Sequence, residues 1–173
     1  MPPTKPTRKY TAPKAGDPLM SVLVSGKKTP IIEVKFCNLL KPFFYPNSPN
    51  VPRYSVTCTF DPEMHKEFLA SIQTIESREG VESALKSESK KNSASEYEST
   101  GKVIVKFQTK NKIPVFAIEN KAAEEVELED ELATGEKVCV MFDILRYTKK
   151  NTLSGDHGLS FKPTAIYFYP EQN

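Results

Sequence analysis

The groups best suited to covalent or metal chemistry are few in this chain and stand far apart. The histidines are His65 and His157, and the cysteines, Cys37, Cys58 and Cys139, lie in separate apolar alternating segments with no CxxC pair. Ligand clusters and Cys–His nucleophile pairs both need close partners, so no metal site and no thiol catalyst is expected. An odd cysteine count without a secretory leader points to buried, reduced thiols. The phosphate-cradling, dinucleotide, nucleophile-elbow and zinc-helix motifs are all missing, so neither a cofactor nor an enzymatic activity is expected. His65 reads as a surface residue of a helix, and His157 as part of a structural turn in SGDHG.

The informative side chains are cations interleaved with rings. Residues 41–54 read KPFFYPNSPNVPRY, with four prolines and four aromatic rings. Proline lacks the amide proton and fixes φ, so a helix or a central strand is not expected there. A loop that keeps large rings either folds them back or presents them to a partner. Phe43, Phe44 and Tyr45, between Lys41 and Arg53, supply flat apolar faces beside positive charge. Tyr54 belongs to the core by strand parity, and one of Phe43 and Phe44 is a candidate to join it. In GKVIVKFQTK, Lys102, Lys106 and Lys110 share a face with Ile104 and Gln108, and Val103, Val105 and Phe107 take the other face. Lysines four residues apart on a strand are about 13 Å apart, a spacing that suits an extended polyanion. Lys112 prolongs this series, Lys35 lies on an earlier strand, and Arg146, Tyr147, Lys149 and Lys150 cluster at a later loop. Rings and cations in this mixture match single-stranded nucleic acid, whose bases stack on aromatics and whose phosphates need a positive track. For any one lysine taken alone, a solvated edge strand is the favoured reading, and it is the whole set together with the aromatic loop that points to a binding groove.

These residues need a scaffold. The chain has 173 residues, enough for one well-buried domain, and no apolar run long enough to span a membrane. Residues 1–18 hold five prolines and four basic groups and read as a flexible arm, with residues 19–173 as a single domain. Strands are expected at 19–26, 31–39, 53–60, 101–110, 114–118, 137–148 and 159–169, with a hairpin joining 101–110 to 114–118. Pro163 marks an edge position or a bulge in the last of them. Asp61 and Pro62 open an amphipathic helix over 62–77 carrying Met64, Phe68, Ile72 and Ile75 on one stripe, with a weaker helical piece to about 86. Residues 87–100 read as an exposed or disordered insertion. Residues 119–136, with eight acids against Lys121, read as an acidic connection. Short strands with an inserted helix and no βαβα order imply a mainly β, Greek-key barrel rather than a parallel sheet.

The run FCNLLKPFFYPNSPNVPRYSVTCTFDPEMHKEFLASI resembles the front half of the phage single-stranded DNA-binding proteins, with their strand, Pro-rich loop, basic-Tyr strand and acid-proline helix start. GEKVCVMFDILRYTKK followed by HGLSFKPTAIYFY resembles their closing hairpin. The similarity covers about residues 30–78 and 101–169. It implies an oligonucleotide-binding (OB) barrel with extra strands and one principal helix, and sequence-tolerant strand binding in DNA replication, recombination and repair. The expected partners are single-stranded DNA, replication proteins and a second copy in a homodimer, with no membrane. The expected location is intracellular: the host cytoplasm for a phage, the replication compartment for another virus. Such proteins end in an acidic tail with a terminal aromatic. Here the last residues are YPEQN, with Glu171 alone as an acid, and the internal acids at 124–131 are the candidate substitute. Two alternatives share the pattern: an RNA-binding barrel, and a protein-interaction or virion module whose acidic stretch faces a basic protein.

Overall fold

The computed structural model describes residues 18–46, 48–149 and 157–170. Its strands are β1 (Pro18–Lys28), β2 (Ile32–Tyr45), β3 (Ser48–Phe60), β4 (Lys86–Lys91), β5 (Tyr97–Thr109), β6 (Val115–Glu119), β7 (Ala122–Val126), β8 (Lys137–Lys149) and β9 (His157–Phe168), with helix α1 (Lys66–Glu79) between β3 and β4. They form a nine-stranded sheet in the order β4-β5-β3-β2-β8-β9-β6-β7, and off this path β1 pairs antiparallel with β8 from Pro18↔Lys149 to Lys28↔Met141. The middle of that order, β5-β3-β2-β8-β9, curls until β9 approaches β5, where the Phe107 and Phe161 rings lie 6.0 Å apart. This is an OB-like Greek-key barrel with extra strands and one principal helix.

The core follows from strand parity. Val56, Cys58 and Phe60 on β3, Val105 and Phe107 on β5, and Val138, Val140, Phe142 and Ile144 on β8 are buried and face inward. Phe142 is the hub, with Phe107 at 4.9 Å, Phe161 at 5.6 Å and Phe68 of α1 at 6.2 Å between ring centroids. Edge-to-face geometry adds to area burial for such rings. Tyr54 packs partly buried against this cluster, as parity requires. Cys58 and Cys139 are buried and Cys37 is half-buried, and all three are free thiols.

Helix α1 starts four residues later than its sequence signal. The Asp61 carboxylate does accept from the amides of Glu63 and Met64, at 3.0 and 3.3 Å, but it caps a turn that precedes the helix. Met64 is therefore exposed, and the buried stripe is Leu69, Ile72 and Ile75. His65, expected at the surface, is half-buried with its ring edge-on to Phe60 at 6.0 Å, and burial lowers its pKa. The helix ends at Gly80, whose φ of 65° is open to glycine at little cost.

Other expectations are corrected. Residues 81–85 are not helical, and residues 87–100, though mostly exposed, build β4 and the start of β5. β5 and β6 are not a hairpin: β6 pairs in parallel with β9 and antiparallel with β7, which the acidic connection supplies. Nine strands therefore replace the seven expected, one of their pairings is parallel, and the gain comes from polar edge segments whose alternation is weak. The Pro-rich stretch is itself extended, because β2 and β3 run on to a turn at Tyr45↔Ser48 and place their prolines where the register breaks. Pro163 sits at a bulge, where Phe142 faces Pro163 while Met141 faces Ala165. No described helix is long and apolar enough to cross a membrane.

Candidate nucleic-acid interface

The outer face of β2, β3 and β5 is organised in cross-strand rows. Phe36 stands opposite Thr57, and Thr57 opposite Lys106; Asn38, Ser55 and Gln108 form the next row; Thr59 faces Ile104, which faces Lys86 of β4. Phe36 escapes the alternation of its own strand. Ile32 and Val34 point inward, but the register slips between Val34 and Phe36, and the Phe36 ring turns outward with 51% of its surface exposed. A β-bulge re-aims side chains in this way. Periodicity alone hides this ring, since parity counts it as core.

From these rows Phe36, Thr57, Lys86, Ile104, Lys106 and Gln108 line a groove of about 570 Å³. Ser83 and Ala84, leading into β4, line one side of it, and Tyr147 with Gly158–Phe161 line the other. The first side is held by Glu76 of α1, a buried carboxylate that accepts from the Ala84 amide and, at 3.1 Å, from the Ser83 hydroxyl. On the second side the Tyr147 ring lies so close to Gly158 that a Cβ there would meet its hydroxyl at 2.4 Å. At the floor, the Thr57 hydroxyl is buried with no hydrogen-bond partner among the described residues.

The hairpin of β2 and β3 rises beside the groove and carries the expected rings. Phe43 and Phe44 are 47% and 48% exposed, so neither joins the core. Tyr45 is anchored: the Lys106 ammonium donates to its hydroxyl over 3.3 Å, and the hydroxyl donates to Gln108 Oε1 over 3.3 Å. The Phe43 ring meets Tyr45 edge-on at 4.9 Å, and Arg53 lies opposite Phe43 across the hairpin. Lys41 is exposed at its base.

The cations separate into three groups. Lys41, Lys102 and Lys106 are exposed on the hairpin and the β5 face. Lys35 and Arg146 are engaged by acids, Lys35 with Glu88 at 2.5 Å and Arg146 with Glu79 at 3.6 Å. Lys35 holds the Glu88 carboxyl below its usual range by hydrogen bonding. Lys110 and Lys112 lie past the end of β5, away from the groove, and Lys112 borders a second cavity of about 320 Å³ with Glu125 and Glu127. The backbone of Lys149 ends β8, and Lys150 lies outside the described residues, as do residues 1–17 of the expected arm and Glu171. In an OB barrel the second and third strands and the adjacent loops form the nucleic-acid face, and β3, β5 and the β2–β3 hairpin occupy those places here.

The single-stranded DNA-binding protein of bacteriophage Enc34, solved as a C-terminal truncation, superposes with a TM-score of 0.56 at 18% identity, over 82% of this chain and 84% of that one. The same phage protein in complex with single-stranded DNA gives 0.57 at 16% identity, over 86% of this chain and 96% of that one. The gp2.5 single-stranded DNA-binding protein of bacteriophage T7 gives 0.52 at 12% identity, over 88% and 87%. The chain has the fold of these phage proteins. No protein-family model and no curated protein matches its sequence. At such identities the shared property is the path of the backbone, so the binding residues have to be argued from this chain's own side chains.

Proposed function

We propose that the chain is a non-enzymatic, sequence-tolerant single-stranded DNA-binding protein of a phage or another virus, acting in DNA replication and in the recombination and repair that accompany it. The observation that carries this reading is the pair of half-exposed rings, Phe43 and Phe44, on a hairpin flanked by Lys41 and Lys106, beside a groove in a barrel whose solved neighbours include a single-stranded DNA complex. The bases stack on Phe43, Phe44 and Phe36, and the phosphates follow Lys41, Lys106 and Lys102. Tyr45 keeps the hairpin against β5 while Lys106 faces the strand. Stacking is indifferent to base identity and phosphate contacts carry no sequence information, so binding is tolerant of sequence.

Fluorescence titration of oligo-dT against a duplex of equal length, over a salt series, tests the reading. The expected outcome is preference for the single strand and a log–log salt slope of about −0.7 for each phosphate neutralised. Equal affinity for both forms at moderate salt would sink it. A matched RNA oligomer in the same titration decides between the two nucleic acids.

A further inference from the structure

Between Asn38 and Phe43 strand β2 loses its register with β3, whose matching residues run only from Ser55 to Arg53. Residues 39–42 therefore bulge out with amides that the ladder does not take up. One carboxylate takes them. Glu131 accepts from the Leu39 amide through Oε2 at 2.7 Å, and through Oε1 from the amides of Leu40 and, at 3.3 Å, Lys41. The Cys37 thiol donates to Oε2 at 3.3 Å. Pro42 has no amide hydrogen, so Glu131 gathers every backbone donor between Leu39 and the ring-bearing part of the hairpin.

We infer that Glu131 is a positioning residue, a latch by which the acidic connection sets the bulge at residues 39–42 and so fixes the angle at which Phe43 and Phe44 are presented. Successive amides form a concave anion site, and here that site is filled from within the chain. Its removal leaves the part-buried amides of Leu39 and Leu40, and the exposed amide of Lys41, without this partner and lets the hairpin pivot. Cys37 reports on the same contact: burial and the adjacent Glu131 push its thiol up to about 12. The inference assigns the acid a role opposite to that of a competitor. An acid that merely repels or mimics phosphate weakens DNA binding, so its removal strengthens binding. A latch gives the reverse sign.

The inference rests on the proposed DNA-binding function for one of its readouts and not for the other. Amide hydrogen exchange without DNA, on wild type and on Glu131→Ala and Glu131→Gln, is expected to show lost protection at Leu39, Leu40 and Lys41. Unchanged protection in both variants overturns the latch whether or not the protein binds DNA. Oligo-dT affinity is expected to fall about tenfold in Glu131→Ala, with the salt slope retained. In a background already carrying Phe43→Ala and Phe44→Ala, the same change is expected to cost less than about twofold, since the rings it positions are gone. Tighter binding by either variant, or a full loss that persists without the rings, overturns it. A wild type that fails to bind single strands rejects the function while hydrogen exchange still decides the latch.

Discussion

A phenyl ring left half in water contributes little to folding, and so its removal separates binding from stability. Phe43→Ala and Phe44→Ala are each expected to weaken oligo-dT binding by about 1–3 kcal/mol, with the salt slope and the melting temperature close to wild type. Calorimetry and titration on the same samples check this; a large drop in melting temperature with intact affinity refutes it. The lysines make a second contrast. Lys106→Glu is expected to flatten the salt slope by about 0.7 or more, because an exposed cation on the groove is lost. Lys35→Gln is expected to leave the slope nearly unchanged, since its ammonium already serves Glu88. Equal slope changes in the two variants would show that Glu88 releases Lys35 to the DNA. Sequence inspection could mark both lysines as basic strand residues, but not that one had an acid across the sheet, because Glu88 lay in a stretch with no visible pattern.

Strand β4 shows how an element of low apolar content is held. Apart from Glu88 its side chains are exposed, and that carboxylate is buried against Lys35 and accepts from the Thr100 hydroxyl at 2.9 Å. Glu88→Gln is expected to destabilise the protein by about 1–3 kcal/mol at neutral pH. Because Lys35 depresses the Glu88 pKa, this contribution is present above the usual carboxylate range and disappears as pH falls through the depressed folded-state value. Urea titrations of wild type and variant should therefore converge in acid. A constant gap down to the lowest pH contradicts the ion pair as its source. Elements with a clean two-residue period, β3, β5, β8 and β9, were legible within a few residues, and so was the face of β5 that carries Lys102 and Lys106. The bulges were not. Phe36 turns outward and Pro42 sits in a strand because backbone register is set by partners distant in sequence, which a local alternation cannot encode. The parallel contact of β6 with β9 was hidden for the same reason.

At the scale of the molecule, the barrel is closed by rings where hydrogen-bonded pairing between β5 and β9 is not found among the described residues. Phe107→Ala, which removes the buried β5 ring that meets both Phe142 and Phe161, is expected to cost about 3–5 kcal/mol of stability, read as a lower urea midpoint. A loss below about 1 kcal/mol would mean the barrel is held by its ladders alone. The general architecture was readable, since strands in series with one inserted helix leave few ways to bury both. The pairing of Pro18 with Lys149 and of Ile32 with Val138 has a further implication, for the order in which the chain is made. β2, β3 and β5 are adjacent in the sheet and all lie before residue 110, so the part that carries Phe36, the ring hairpin and Lys106 can assemble while the ribosome is still extending the chain. β1 and the near end of β2 must wait for β8, and at about 5–20 residues per second that interval lasts seconds. During it a nascent chain would expose the inner faces of Val56, Cys58 and Phe107 to water, and the bottleneck in making this protein would be the arrival of its last two strands.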